Sequence, residues 1–175
     1  YVEEATATDT YDGVLSIDIT GTVNTDSVGV YTLYYNVSDS SGNAAEEVTR
    51  TVTVQDTTEP VITLFGDSVS VEYLGTYNEP GFEASDNYDG DLTDNVVIDS
   101  NFDSSTLGSY TVTYNVSDSS GNAADEVTRI VIVQDTTPPV ITLNGDSVIL
   151  EYGEDFTENA TAIDNYDGNL TDRIT

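Results

Sequence analysis

Asp86, Asp89 and Asp118 are the side chains of this chain best placed to do chemistry, because each recurs at a fixed place in a repeat. Asp86 and Asp89 bracket Asn87-Tyr88, and Asp118 precedes Ser119-Ser120-Gly121-Asn122. Asp9, Asp12 and Asp39 fill the same three places earlier in the chain, and Asp164 and Asp167 fill two of them later. Asp56 and Asp135 each open an Asp-Thr-Thr linker. Asp91 has Val14 and Asn169 as counterparts and falls outside the set.

Carboxylates, loop carbonyls and the amides of Gln55, Asn87 and Asn122 are hard oxygen donors. Ca²⁺ takes six to eight of them in irregular geometry, whereas Mg²⁺ asks for a stricter octahedron and more water. The chain has no His and no Cys, which argues against zinc. The spacing is not that of an EF-hand. Ca²⁺ is therefore the expected ligand of Asp56, Asp86, Asp89 and Asp118, and of Asp9, Asp12, Asp39, Asp135, Asp164 and Asp167 in the other copies. Asp and Asn as plain turn formers are the competing explanation. Two carboxylates could also cleave a glycosidic bond. Here they sit on a repeated junction without His, Cys or Lys, so no catalysis is expected. Tyr11, Tyr88 and Tyr166 lie in the acidic loops, either to stack on a sugar or to pack over their own loop or a neighbouring domain.

The acids need elements to bring them together. Residues 36–45 recur unchanged at 115–124, 79 positions on. Extended to 36–60 against 115–139, only four of 25 positions differ: Glu46/Asp125, Thr51/Ile130, Thr53/Ile132 and Glu59/Pro138. Residues 56–73 match 135–152 at 14 of 18 positions, and 84–94 match 162–172 at nine of 11. Such self-similarity signals a tandem array. The chain divides into the closing part of a first repeat (1–55), a complete repeat (56–134) and the opening part of a third (135–175).

Within the complete repeat, strands are expected at Val61–Leu64, around Val69, Val71 and Tyr73, at Phe82–Asp86 and at 95–100. Residues 86–91 read as a loop. Tyr110, Val112, Tyr114 and Val116 alternate with polar residues. Residues 119–122 make a hairpin connection, and the return strand over 125–134 puts Val127, Val131 and Val133 on one face. Ile130 and Ile132 face the other way, where the first copy has Thr51 and Thr53, so that face is only partly covered. No segment carries helical periodicity. About seven strands in some 80 residues give an all-β fold of tandem Ig-like β-sandwiches. Tyr110 and its counterpart Tyr31 are either tyrosine corners or ordinary core aromatics.

In that topology the N-terminal linker, the loop at 86–91 and the hairpin at 119–122 share one pole. Carboxylates meeting there about 5 Å apart repel by about 3 kcal/mol per pair at an effective dielectric near 20. A shared cation removes that cost and stiffens the proline-bearing linker.

Charge sets the partners. The chain carries 33 acids against three bases and a net charge of −30. It repels nucleic acid and anionic membrane, and no stretch approaches the length of a membrane span. With no Cys there is no disulfide, which favours a bacterial or archaeal surface protein over a eukaryotic Ig domain. An export signal and anchor are expected outside this sequence. Asn-x-Ser/Thr sequons stand at Asn36, Asn115, Asn159 and Asn169, and read as chance products of a Ser/Thr-rich chain.

Three segments carry a family resemblance: Asp-Thr-Thr-Pro-Pro-Val-Ile-Thr-Leu, Ala-x-Asp-Asn-Tyr-Asp-Gly and Tyr-x-Val-x-Asp-x-x-Gly-Asn. They resemble bacterial Ig-like repeats first noted in a pesticidal crystal protein and related in style to hyalin and cadherin-like repeats. The resemblance implies an exported β-sandwich strung in series at a bacterial cell surface, in adhesins, sheaths or fibres. It implies no single ligand and assigns no metal residues. The expected function is an extender with calcium-stiffened junctions, partnered by neighbouring repeats or identical chains. An adhesin holding a surface glycan or protein through its loops is one alternative. Strand addition between copies is another, since the first repeat lacks the opening strands that the third offers.

Overall fold

The computed structural model describes residues 4–143 and 145–175. The chain forms two compact units, Tyr1–Thr58 and Glu59–Thr175.

The first unit contains β1 (Ala7–Asp9), β2 (Gly13–Leu15), β3 (Asp18–Thr20), β4 (Gly29–Asn36) and β5 (Val48–Val54). β1 pairs with β2, and β3, β4 and β5 form an antiparallel sheet in that order. Period-two alternation on β4 drives Leu33 and Tyr35 inward, where both are buried.

The second unit opens with β6 (Val61–Leu64), β7 (Ser68–Glu72), β8 (Phe82–Asp86), β9 (Gly90–Asp91), β10 (Val97–Ser100), β11 (Gly108–Asn115) and β12 (Val127–Gln134). They make the two layers of an Ig-like sandwich. One layer is β6–β8–β9 and the other β10–β11–β12–β7, with β7 running parallel to β12. Ile62, Val71, Ala84, Leu92, Val112, Tyr114, Val116 and Val131 fill the space between the layers. Each fully buried aliphatic among them contributes about 1.5–3 kcal/mol. The same unit continues through β13 (Val140–Thr142), β14 (Thr161–Asp164) and β15 (Gly168–Asn169), one antiparallel sheet. Among the described residues no helix is long and apolar enough to cross a membrane.

Two expectations need correction. Asn95 does not begin a strand: Thr93–Asn95 is a 3₁₀ turn, and pairing starts at Val97. The turn forms because Asp91 Oδ1 accepts from Thr93 N at 2.9 Å and Thr93 Oγ1 accepts from Ala84 N at 3.1 Å. Residues 86–91 are not all loop either, since Gly90 and Asp91 pair back onto Asp86 and Ser85.

Tyr110 and Tyr31 are tyrosine corners. Tyr110 Oη donates to Thr106 O, and Tyr31 Oη donates to Ser27 O, each at 2.8 Å. The hydroxyl ties the strand's start to backbone four residues upstream, the pattern that fixes this corner in Ig-like sandwiches.

Arg129 carries a charge into the core, fully buried between Val127 and Val131 on the inward face of β12. Its Nη1 donates to Phe65 O at 3.0 Å, Nη2 to Gly81 O at 2.8 Å, and Nε to Tyr114 Oη at 3.3 Å. Nη2 also lies 3.0 Å from Glu79 Oε1. Glu79 in turn accepts from the hydroxyls of Tyr77 and Tyr114 and from Gly81 N. Burial pushes the Glu79 carboxyl up, but the tyrosine hydrogen bonds, Gly81 N and Arg129 together hold it below its ordinary value. Burial and Glu79 push both tyrosine hydroxyls up. Each of the three guanidinium nitrogens thus has an acceptor, which offsets the cost of burying the charge.

Candidate functional site

The acids stand where strands end and loops turn. Asp86 is the last residue of β8, and its Oδ1 accepts from Tyr88 N at 2.7 Å and Asp89 N at 2.9 Å. This Asx turn throws Asp89 toward the hairpin between β11 and β12. There Asp89 accepts from Ser119 N at 2.6 Å and Ser119 Oγ at 2.7 Å. Both its oxygens thus staple one loop to the other. Asp118 opens the hairpin and accepts from Asn122 N and Nδ2, each at 2.7 Å. Gly121, at φ +92°, supplies the left-handed residue that the turn needs.

The first unit repeats this wiring. Asp9 Oδ1 takes Tyr11 N and Asp12 N, Asp12 takes Ser40 N and Oγ, and Asp39 takes Asn43 N and Nδ2. Hydrogen bonds from Asp12 N and Tyr11 N hold Asp9 below its ordinary value, and those from Asn43 do the same for Asp39. Asp164 at the end of β14 takes Tyr166 N and Asp167 N, each at 2.8 Å. Asp56 lies in the linker, with Oδ1 accepting from Thr58 N at 3.1 Å.

Two carboxylates of the middle repeat converge. Ligand oxygens of Asp86 and Asp118 lie within 4.8 Å of each other. Asp118 is 8 % exposed. Asp86 Oδ2 is buried and accepts no hydrogen bond. Burial acts to raise the Asp118 carboxyl, but hydrogen bonds from Asn122 outweigh it, so the group stays anionic. Two neighbouring carboxylates, one with a buried oxygen that accepts no hydrogen bond, are hard oxygen donors of the class that divalent cations use.

The junction inside the second unit brings together Asp135, Asp164 and Glu72. Burial raises the Asp135 carboxyl, and the charges of Asp164 and Glu72 add to the rise against the opposing Thr137 N bond. Glu72 was not among the residues expected to act. It accepts from Thr136 N and Oγ1 and from Thr137 N and Oγ1 at 2.7–3.3 Å. Thr136, Thr137 and the side chain of Asn165 bring its carboxyl down to about 2. Tyr73 meets Tyr166 edge to face, with ring centroids 5.1 Å apart. Of the three loop tyrosines, Tyr166 makes this edge contact yet stays 46 % exposed, Tyr88 is 44 % exposed and Tyr11 92 %. The signal for Glu72 was present in sequence: Glu72-Tyr73 recurs as Glu151-Tyr152.

The model for the Ig-like domain of bacterial surface proteins matches residues 1–54 and 62–133. Hyalin of Strongylocentrotus purpuratus is 40 % identical over 129 residues, 68 % of this chain and 10 % of its own length. An 81.3 kDa protein of Acholeplasma phage L2 is 30 % identical over 99 % of this chain and 25 % of its own. Pesticidal crystal protein Cry22Aa of Bacillus thuringiensis is 32 % identical over 73 % of this chain and 18 % of its own. The chain spans a quarter or less of the length of each. With most of its residues matched and its middle repeat folded as a two-layer sandwich, the chain belongs to the family of Ig-like domains of bacterial surface proteins.

Proposed function

We propose that this chain is an extender segment of a bacterial cell-surface repeat protein, a fibre, stalk, sheath or adhesin, in which Ca²⁺ stiffens the junctions between repeats. The observation that carries this reading is the buried, unsatisfied Oδ2 of Asp86 within reach of the buried Asp118. In the proposed site Asp86 and Asp118 ligate the ion and the linker acid Asp56 completes the carboxylate set. The neighbouring junction supports that assignment, because its linker acid Asp135 feels the charge of Asp164, the counterpart of Asp86. Asp135 and Asp164 play the same parts there, as Asp9 and Asp39 do in the first unit. Asp89 and Asp12 hold their loops in place through Ser119 and Ser40, and Asp167 is their counterpart in the third copy. The bound ion neutralises the acids and fixes the linker's direction. The reading is non-catalytic.

Small-angle scattering of the 175-residue chain, in Ca²⁺ and after chelation, tests it. Ca²⁺ should lengthen and stiffen the particle. At a hundredfold excess over Kd it should also raise stability by about 2.7 kcal/mol. The Asp86→Asn/Asp118→Asn double variant should lose both responses. Superimposable curves with and without Ca²⁺, and no calorimetric heat, would sink the proposal. An adhesin reading rests on the open ring of Tyr11, and the edge contact of Tyr166 on Tyr73 favours packing over sugar stacking.

A further inference from the structure

The sheet β10–β11–β12–β7 turns one face into the sandwich and the other outward. On β12 the inward residues Arg129, Val131 and Val133 are buried, so Thr128, Ile130 and Ile132 point away from the core. Ile130 stands between Thr111 of β11 and Ser68 of β7, and Ile132 stands between Ser109 and Ser70. Thr128 lies opposite Thr113. Three adjacent strands thus present an outward patch of serine, threonine and isoleucine with no charge. Acids return at its rim, with Asp99 on β10 and Glu72 at the end of β7. The outward face of the other layer differs, because it carries Glu83 beside Thr63 and Asp91 beside Ser85.

Such a patch stands out in a chain with 33 acids and a net charge of −30. Its isoleucines are not demanded by the fold. In the first unit β4 and β5 pair in the same register with Thr51 and Thr53 in those two places. Ile130 is nonetheless 38 % exposed, and Ile132 is half-buried. The first unit keeps the same face uncharged, with Val30 opposite Thr53, Thr32 opposite Thr51 and Tyr34 opposite Thr49. Charge also selects the occupant. Two copies repel wherever acids face acids, and on this patch they meet without that cost. A basic partner would be drawn to the acidic surfaces instead. The patch of the middle repeat holds no aromatic ring on which a sugar could stack.

We propose that two copies of this chain associate face to face through the outward patch centred on Ile130 and Ile132. The contact is isologous, sheet on sheet about 10 Å apart, as between the layers of a β-sandwich. Three strands about 4.8 Å apart, each about five residues of 3.4 Å long, give about 250 Å² per copy and about 500 Å² in all, against roughly 1,200–2,000 Å² for a stable interface. One such contact is therefore weak, and a series of repeats strengthens it by multivalency. It uses none of the proposed calcium ligands.

Sedimentation equilibrium of the 175-residue chain in EDTA tests the proposal. The weight-average mass should climb above 18.8 kDa as the chain approaches millimolar concentration, and more steeply in high salt, which screens the acids elsewhere. Ile130→Asp/Ile132→Asp sets like charges across the contact and should weaken association by about tenfold or more. Ile130→Thr/Ile132→Thr, which copies the first unit's residues and keeps the hairpin's register, should weaken it less but measurably. Val61→Asp, at an exposed position on the outward face of the other layer, should leave it unchanged. A mass that stays at 18.8 kDa throughout would overturn the proposal and leave the patch to a neutral ligand of another kind. Association that survives both isoleucine variants, or that Val61→Asp weakens as much, would overturn it too. Chelation excludes ion bridges between acidic copies, so the outcome is independent of the calcium reading.

Discussion

The closing hairpin occurs twice, in nearly the same sequence, under two different roofs. In the middle repeat β6 and β8 cover it, and Arg129 and Val131 have no exposure. In the first unit Arg50 is exposed and Val52 half-buried. Yet β4–β5 pairs in the same register as β11–β12, with Tyr31 opposite Val52 as Tyr110 is opposite Val131. The guanidinium also lies over the same tyrosine ring, at 5.7 Å in one copy and 5.9 Å in the other. Strand, turn and cation–π contact are therefore local products of about 25 residues, whereas burial is conferred by strands more than 40 residues away.

Substitutions made in parallel in the two copies should separate local from conferred stability. The largest split is expected at the arginine. Arg129→Met leaves Glu79 without its cation and should cost the middle repeat about 3 kcal/mol, the low end for breaking a buried pair because Glu79 is partly exposed. Arg50→Met should cost about 0.5 kcal/mol or less. Equal costs in urea unfolding would show that the roof adds nothing. Next comes Val131→Ala, at about 2 kcal/mol for a fully buried valine, with Val52→Ala at well under half of that. Smallest, and alike in both copies, are Tyr110→Phe and Tyr31→Phe. Each loses one hydroxyl-to-carbonyl bond worth about 1 kcal/mol. A large difference between the two would mean that the corner also depends on the covering layer.

The same division explains what could be read from sequence. Alternation located Val61–Leu64 and Phe82–Asp86, and the alternating face of Tyr110, Val112 and Tyr114, because inward and outward residues differ in type at those positions. It also puts position 129 inward, between Val127 and Val131. The residue there is charged, and arginine is expected in solvent unless a partner is known. That partner, Glu79, lies 50 positions earlier in a segment that reads only as polar loop. The parallel pairing of β7 with β12 left no local mark either, since register between distant strands is set by the assembled sandwich. At the candidate site, spacing singled out Asp86 and Asp118, whose oxygens lie within 4.8 Å of each other, but gave no sign of how Asp89 is bound. Ser119 occupies both oxygens of Asp89, and no motif announces a loop-to-loop staple. Glu72 recurs as Glu151, but the threonines that bind it follow by more than 60 residues, so recurrence marks the position without revealing its partners.

The parallel ladder of β7 and β12 has a mechanical consequence. The chain enters the middle repeat shortly before β7 and leaves it at the end of β12, and these strands are neighbours running the same way. Tension applied through the two termini slides one past the other along their common axis. Their rungs, from Ile130↔Ser68 to Gln134↔Glu72, are then strained together rather than opened one by one like a zip. A domain laced in this way yields late when its two ends are pulled apart.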